Sequence, residues 1–464
     1  MSLTIYNTLT HDKEVFEPRE PGKVGIYACG LTPQGPAHLG HMRGALAFDV
    51  IRRWFKYRGY DVTMVQNFTD VDDKIIRKAA EEGIGTVELA TRYSNNYLAD
   101  WNSLGITPVE FVKVTENIPA ILQLIAQLLE REHAYVAENG DVYFSVRTFP
   151  DYGKLSRRRS DEMESGARIE IDPLKRDPLD FALWKAERPG EPSWPSPWGP
   201  GRPGWHIECS ALAQKFLGLS FDIHAGGIDL LFPHHENEIA QGEAGTGCVP
   251  FARVWMHWGS VNAGGEKMSK SLGNFFTIKE ILAEYPAQVL RLYLLSTHYR
   301  APIDYAPERL AETARSYDRL RKALSTADQM SNGAVVDTVS PLHLAKFEDS
   351  MDDDFNSAAA LGVVFEALSE LNKEIASPTP APAEIAFYSS TVRKLIGSLG
   401  IELTSQEASA PDGLTDALIE HALAWRKLAR ESKNYGLSDR IRDDLKSLGI
   451  ILEDRPQGTT WQRS

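Results

Sequence analysis

KVGIYACGLTPQGPAHLGHMRGALAFDVIRRWFKYRGYDVTMVQN, Lys23 to Asn67, is the stretch from which the fold class follows. Lys23 to Cys29 reads as a buried strand, and Gly30, Pro33, Gly35 and Pro36 make the next segment a loop. His38-Leu39-Gly40-His41 then opens an amphipathic helix through Arg53 and Tyr57, and Asp61 to Asn67 reads as a second strand. A strand, loop, helix and strand in this order form a right-handed crossover, which implies a parallel sheet with ligands beyond the carboxyl ends of its strands. Cys29 ends the first strand and therefore stands at that edge. Thr69-Asp70-Val71-Asp72-Asp73 ends the second strand there too, where Asp70 and Asp72 either meet a substrate or cap the helix from Lys74 to Glu82.

The chain has 464 residues, more than one hydrophobic core usually supports, so two to four domains are expected. At 42% hydrophobic and 25% charged it has the composition of a globular protein, and no run of 18 apolar residues or signal-peptide pattern is present. A cytoplasmic location and no membrane partner are the expectations. Cys29, Cys209 and Cys248 are too few and scattered for a disulfide framework, which leaves thiols free for a metal. A net charge of −14 argues against non-specific coating of nucleic acid, so any such partner must meet a local basic patch.

Thr86 to about Ser156 reads as helical around a hairpin, Ala134 to Val136 and Asp141 to Phe144, and Arg157, Arg158 and Arg159 form a solvated loop or a phosphate contact. Pro189 to Gly204, with six prolines and four glycines, excludes regular structure, and Trp194 and Trp198 suggest an ordered loop beside a site. A helix (Ala211 to Leu217), a strand (Phe221 to Ala225) and Gly226-Gly227-Ile228-Asp229 follow, where the glycines make either a tight turn or a close approach to a ligand. After Pro233 another helix would set His234 and Glu238 at i and i+4 on one face. With Cys209 they are of metal-ligand type, although a helix N-terminus with favoured acidic residues explains the pair equally well. A strand from Val254 to Gly259 leads to Lys267-Met268-Ser269-Lys270-Ser271, and after about Ile278 the pattern is helical: Ala287 to Ser296, Pro307 to Met330, Pro341 to Leu371 and Ile385 to Leu399. Thr404 to Asp412 reads as a linker.

His38-Leu39-Gly40-His41 and Lys267-Met268-Ser269-Lys270-Ser271, each after a strand, resemble the two signature motifs of class I aminoacyl-tRNA synthetases. Gly204-Trp-His-Ile-Glu-Cys209, Phe232-Pro-His-His-Glu-Asn-Glu-Ile-Ala-Gln241 and Met351-Asp-Asp-Asp-Phe-Asn356 narrow the resemblance to the cysteinyl-tRNA synthetases, and it covers essentially the whole chain. The resemblance implies a ligase that joins L-cysteine to tRNA(Cys) through cysteinyl-adenylate, with ATP and Mg²⁺ as substrate. It implies one Zn²⁺ held by Cys29, Cys209, His234 and Glu238, which binds the substrate thiol and rejects serine without editing. His38, His41, Lys267 and Lys270 would then serve the phosphates. Gly226, Gly227 and Asp229 would hold adenosine, Thr69 and Trp205 border the amino acid, and His206 and His224 line its pocket, with Ser269 in the second motif also binding substrate. Leu31-Thr32-Pro33-Gln34-Gly35 departs from that family's usual Pro-Thr-Val-Tyr-Asp-like run, and Met42 stands where a small residue is commoner.

The architecture expected is α/β: a Rossmann-type parallel-sheet catalytic domain in two halves (1–115 and 201–277) around an inserted connective subdomain (116–200). A helical stem-contact and anticodon-binding domain (278–403) and a small mixed tRNA-recognition domain (412–464) follow, in a monomer. Arg426 to Lys446 carries seven basic residues against four acidic ones, the local reversal that phosphate contact needs, and Trp461 would stack on a base or pack the terminus. The rival readings are a paralogue that joins cysteine to an amino sugar, which lacks the full tail, and a zinc- or RNA-binding protein without catalysis.

Overall fold

The computed structural model describes residues 2–158, 173–264, 266–267, 276–334, 336–403, 414–455 and 458–463. It divides into two units, Met1–Leu403 and Thr404–Ser464. Ser269, Lys270, Arg159 and the linker from Thr404 to Asp412 lie outside the described residues, and of Lys267 only the backbone, in the strand Glu266–Lys267, is described.

Five parallel strands form the centre of the first unit: β1 (Lys23–Leu31), β2 (Asp61–Phe68), β3 (Glu110–Lys113), β4 (Phe221–Gly227) and β5 (Ala252–Trp258), in the order β5-β4-β1-β2-β3. Helix α1 (Leu39–Tyr57) is the β1–β2 crossover, and packs Leu46, Phe48, Trp54 and Phe55 into a core with Ile26 and Ala28 of β1. Alternation along the strand turns Tyr27 and Cys29 to the opposite face, into a second core with helices α2 (Trp205–Leu217) and α3 (Glu236–Thr246). Met42 has no exposure and fills the first core. Strand β3 corrects the expectation of continuous helix between Thr86 and the hairpin. At four residues it is too short to show a period of two, and only pairing with Val65–Phe68 makes it a strand.

A four-stranded antiparallel sheet is inserted between β3 and α2: Ala134–Val136, Val142–Phe144, Phe181–Ala186 and Gly201–Pro203. Gly201–Pro203 corrects the exclusion of regular structure from the proline-rich segment. Its backbone completes the edge of the sheet, where proline's missing N–H is tolerated. Trp194 and Trp198 pack against the core beneath this sheet.

Beyond Ile278 the expected helical stretch from Pro341 to Leu371 is two helices, Pro341–Asp352 and Ser357–Ile375. Asp354 and Phe355, at φ 59° and 52°, break it. The buried Asp354 carboxylate accepts from Tyr6 N–H (3.0 Å), the Tyr299 hydroxyl (2.8 Å) and Arg300 Nε (2.6 Å), so the break ties the N-terminal strand Thr4–Asn7 to the helical segment. Near the metal-type residues, Leu231–His235 forms a π turn before α3 begins at Glu236, with Phe232 at φ −140° inside it. His234 thus precedes the α-helix on which it was expected, yet still reaches Glu238.

In the second unit, Leu414–Glu431 and Tyr435–Ser447 pack on the hairpin Ile450–Arg455/Gly458–Arg463. Arg426, only 2% exposed, pairs with Asp454 at 2.8 and 2.9 Å, and Arg430 and Arg442 converge on the same carboxylate. Three of the seven basic residues counted above are therefore drawn onto one solvent-exposed carboxylate of the same unit. Trp461 donates to Glu420 (3.1 Å) and packs against the cluster of Ile419, Leu445 and Ile450.

Candidate active site and metal centre

The carboxyl ends of β1, β2, β4 and β5 and the N-terminus of α1 surround a cavity of about 640 Å³. Cys29, His38, His41, Thr69, Trp205, Cys209, Gly227, Asp229 and His234, each expected from the sequence, contribute to its wall. So do Gln34, Asn67, Lys74 and Trp258, which the sequence reading did not select. Gln34 occupies the atypical loop, and Asn67 could have been found from its place at the end of β2, two residues before Thr69.

Cys29 lies where the β1–β2 register shifts between Ala28 and Leu31. Gly30 makes this irregularity possible: a Cβ there would fall 1.5 Å from the Asn67 carbonyl oxygen. The Gly30 N–H donates to Asn67 Oδ1 (2.9 Å), which turns Asn67 Nδ2 to donate to the Thr69 hydroxyl (3.1 Å). Thr69 in turn donates to Glu208 Oε2 (2.9 Å). Glu208 is buried, and burial pushes its carboxyl well up, Thr69 acting against that shift. Asp72 caps the helix Asp73–Glu82 through Lys74 N–H (2.8 Å), and Asp70 holds Thr115 (2.6 and 3.0 Å), so both serve the structure at this edge.

Cys29, Cys209 and His234 at the cavity floor and Glu238 just behind them present one donor atom each, all within 4.8 Å of one another and all buried. Cys29 Sγ lies 3.8 Å from Cys209 Sγ and 3.3 Å from Glu238 Oε1, and His234 Nε2 is 3.0 Å from that same oxygen. The other Glu238 oxygen is 2.8 Å from His224 Nε2, and His234 Nδ1 is 2.9 Å from His206 Nδ1. His206 and His224 therefore contact the cluster from behind and do not line the cavity, which corrects their expected position. Gly226 is also behind the wall, where a Cβ would lie 2.4 Å from His235 Cε1. A second set, Cys29, His224, His235 and Glu238, also satisfies the distance condition, but of these only Cys29 lines the cavity. His235 Nδ1 pairs with His257 (2.8 Å), whose Nδ1 pairs with the Thr8 hydroxyl (2.8 Å).

Burial is the largest cause of the shifts at Cys29 and at four of the imidazoles. It lowers His234 and His235 well below the ordinary imidazole value, holds His206 and His257 at about 3, and raises the Cys29 thiol well above its usual value. Neutral imidazoles are the form that ligates a cation, and a cation reverses the cost of ionising the thiols.

At the cavity's other side, His38 caps α1: its Nδ1 accepts from Gly40 N–H (3.1 Å), while its own N–H meets His41 Nδ1 (3.3 Å). The two rings stack with centroids 3.7 Å apart, facing the cavity beside the helix N-terminus. Such an end favours anions through unsatisfied N–H groups and the helix dipole.

Residues 15–315 match the family described as tRNA synthetases class I (C) catalytic domain, and residues 346–404 match the DALR domain. The cysteine–tRNA ligase of Pelotomaculum thermopropionicum is 48% identical over 99% of this chain and 100% of its own length. The chain belongs to the cysteine–tRNA ligase family. The Methylococcus capsulatus cysteine–tRNA ligase, also 48% identical, covers the same shares. Among solved structures, Mycobacterium tuberculosis methionyl-tRNA synthetase with methionyl-adenylate aligns at a TM-score of 0.61 and 16% identity, over 82% of this chain and 90% of that one. The LeuRS of Agrobacterium radiobacter aligns at 0.62 and 12% identity, over 83% and 84%. These likenesses agree with the parallel sheet and helical region: this is a class I aminoacyl-tRNA synthetase and a cysteine–tRNA ligase by family. No helix among the described residues is long and apolar enough to cross a membrane.

Proposed function

We propose that the cavity activates L-cysteine with ATP and Mg²⁺ and transfers it to tRNA(Cys), with Zn²⁺ at Cys29, Cys209, His234 and Glu238. The observation that carries the metal reading is the convergence of two thiols, an imidazole and a carboxylate within 4.8 Å at the floor of a cavity large enough for an adenylate. This donor set suits Zn²⁺, and Cys209 and His234 favour this quartet over the other, of which only Cys29 reaches the cavity. Zn²⁺ bound there supplies a coordination position for a thiol sulfur, for which serine's hydroxyl is a poor substitute. Buried polar groups that fit one substrate reject its analogue far more strongly than a methylene difference does.

The remaining roles belong to side chains. Thr69 already donates to Glu208 and accepts from Asn67, so its remaining lone pair suits the α-ammonium of the amino acid, with Trp205 forming the adjacent wall. A cysteine carboxylate oxygen attacks the α-phosphorus of ATP as the bond to pyrophosphate breaks. A terminal ribose hydroxyl of tRNA then attacks the adenylate carbonyl and AMP departs. His38 and His41 at the start of α1 stabilise charge at the α-phosphate, Lys267 and Lys270 the leaving pyrophosphate, while Gly227 and Asp229 hold the adenosine, with Ser269 also binding substrate. Positioning and preorganised charge account for most of such catalysis.

Cysteine-dependent exchange of labelled pyrophosphate into ATP, followed by transfer to tRNA(Cys), tests the reaction, and metal analysis of the purified chain tests the ion. Exchange with cysteine and not serine, with one zinc per chain, is expected; absence of exchange refutes the catalytic reading.

A further inference from the structure

Tyr27 precedes Cys29 by two residues on β1, so both side chains project from one face of the strand. It has no exposure, its ring centroid lies 5.4 Å from that of His224, and among the described residues its hydroxyl makes no conventional hydrogen bond. The groups that act on that hydroxyl are Cys209, within hydrogen-bonding reach, Cys29 and Glu238: three of the four donors of the metal reading. A buried hydroxyl without a partner is unfavourable, and phenylalanine would fill the same volume without that cost.

The neighbours of Cys209 sharpen the point. Asn67 turns its oxygen, an acceptor, towards Cys209 Sγ at 3.7 Å, and the Gly30 N–H and Thr69 hydroxyl hold the amide in that orientation. Asn67 therefore cannot donate to this sulfur. A metal-ligating sulfur carries negative charge and accepts a hydrogen bond well, while a phenol, with an ordinary pKa near 10, remains an O–H donor at neutral pH.

We infer that Tyr27 is a positioning residue of the metal centre, its O–H donating to the Cys209 sulfur when that sulfur ligates the ion. The inference rests on the metal reading of the site. It explains why a tyrosine stands in a fully buried position with nothing else to bond: its partner is completed by the cation. Outer hydrogen bonds of this kind orient ligands and tune the affinity of a metal site.

The test compares the full-length parent with Tyr27→Phe, which removes one oxygen and keeps the ring. Zinc affinity is measured by competition with a chromogenic chelator, and the Co²⁺-substituted forms are compared by absorption. The expected results are a loss of zinc affinity of about 10- to 100-fold and a shift of the sulfur-to-cobalt charge-transfer band to longer wavelength. The metal-free variant should melt at or above the metal-free parent, because an unpaired buried hydroxyl has been removed. Parental affinity with an unmoved band overturns the inference, as does a metal-free variant that melts below the parent, which would make Tyr27 a packing residue only. A parent that itself holds no ion defeats the metal reading instead, so the two failures are distinguishable.

Discussion

Changing Asp49 to Asn should weaken the first unit by roughly 3 to 5 kcal/mol, the usual cost of removing one partner of a buried ion pair. Asp49 is 1% exposed in the middle of α1 and faces Arg291, which has no exposure. Its carboxylate accepts from Arg291 Nη2 (2.6 Å), Arg53 Nε (2.9 Å), and the N–H (3.0 Å) and hydroxyl (2.6 Å) of Thr107. Arg291 also donates to the carbonyls of Leu104 (3.0 Å) and Leu399 (3.1 Å), so the pair links the nucleotide-fold helix to the helical segment. Burial alone would raise the Asp49 carboxyl, but Arg291, Arg53 and the Thr107 hydrogen bonds outweigh it and hold the group at about 2, against 3.8 when unfolded.

A depressed carboxyl stabilises the fold above its unfolded pKa and loses that contribution as the pH falls through its folded value. At about 1.4 kcal/mol per pH unit, the contribution at neutral pH is about 2 kcal/mol; roughly half is gone by pH 3 and nearly all below pH 2. Urea unfolding followed by tryptophan fluorescence, between pH 7 and pH 3, measures both effects. The Asn variant should start lower and lose less on acidification, and the difference between the two slopes isolates Asp49 from other carboxyls. A variant within about 1 kcal/mol of the parent, with an equally steep acid limb, would refute the reasoning.

Cys209→Ser should abolish stoichiometric zinc and raise the KM for cysteine, which metal analysis and exchange kinetics check; retained zinc with unchanged kinetics contradicts the proposed ligand set. Thr69→Val removes the donor to the buried Glu208 carboxyl and should cost about 1 to 3 kcal/mol in urea unfolding, with a raised KM for cysteine. Gly30→Ala must displace the Asn67 carbonyl that its Cβ would otherwise meet at 1.5 Å. It should reduce pyrophosphate exchange by at least about 100-fold, since misplacement of a site by an ångström costs that much; near-parental exchange would show that the bulge is not needed.

The crossover unit from Lys23 to Asn67 was legible because both its periods are local: an apolar strand, a proline-rich loop and a helix whose buried face recurs every turn. The same local logic placed Cys29 and Thr69 at the ligand-bearing edge. It failed for β3, whose four residues are a strand only by virtue of β2 beside them, and for the stretch from Pro341 to Leu371, which stays periodic across a break made by Asp354 and its distant partners Tyr6, Tyr299 and Arg300. The family resemblance implied that His206 and His224 line the pocket, and strand and helix direction turned them to the back of the metal-type cluster.

By itself, then, the sequence determined the nucleotide-binding fold class, the family, and which residue types could meet a cation, since short motifs and periodicity depend on neighbours along the chain. Only the tertiary structure decided that Cys29 and Cys209, 180 residues apart, stand 3.8 Å from each other, that Glu238 divides its two oxygens between the cluster and His224, and that Tyr27 faces the cluster with nothing else to bond. Those are matters of which strand lies beside which and which way each side chain points. They are settled by burial against partners that no local pattern reveals.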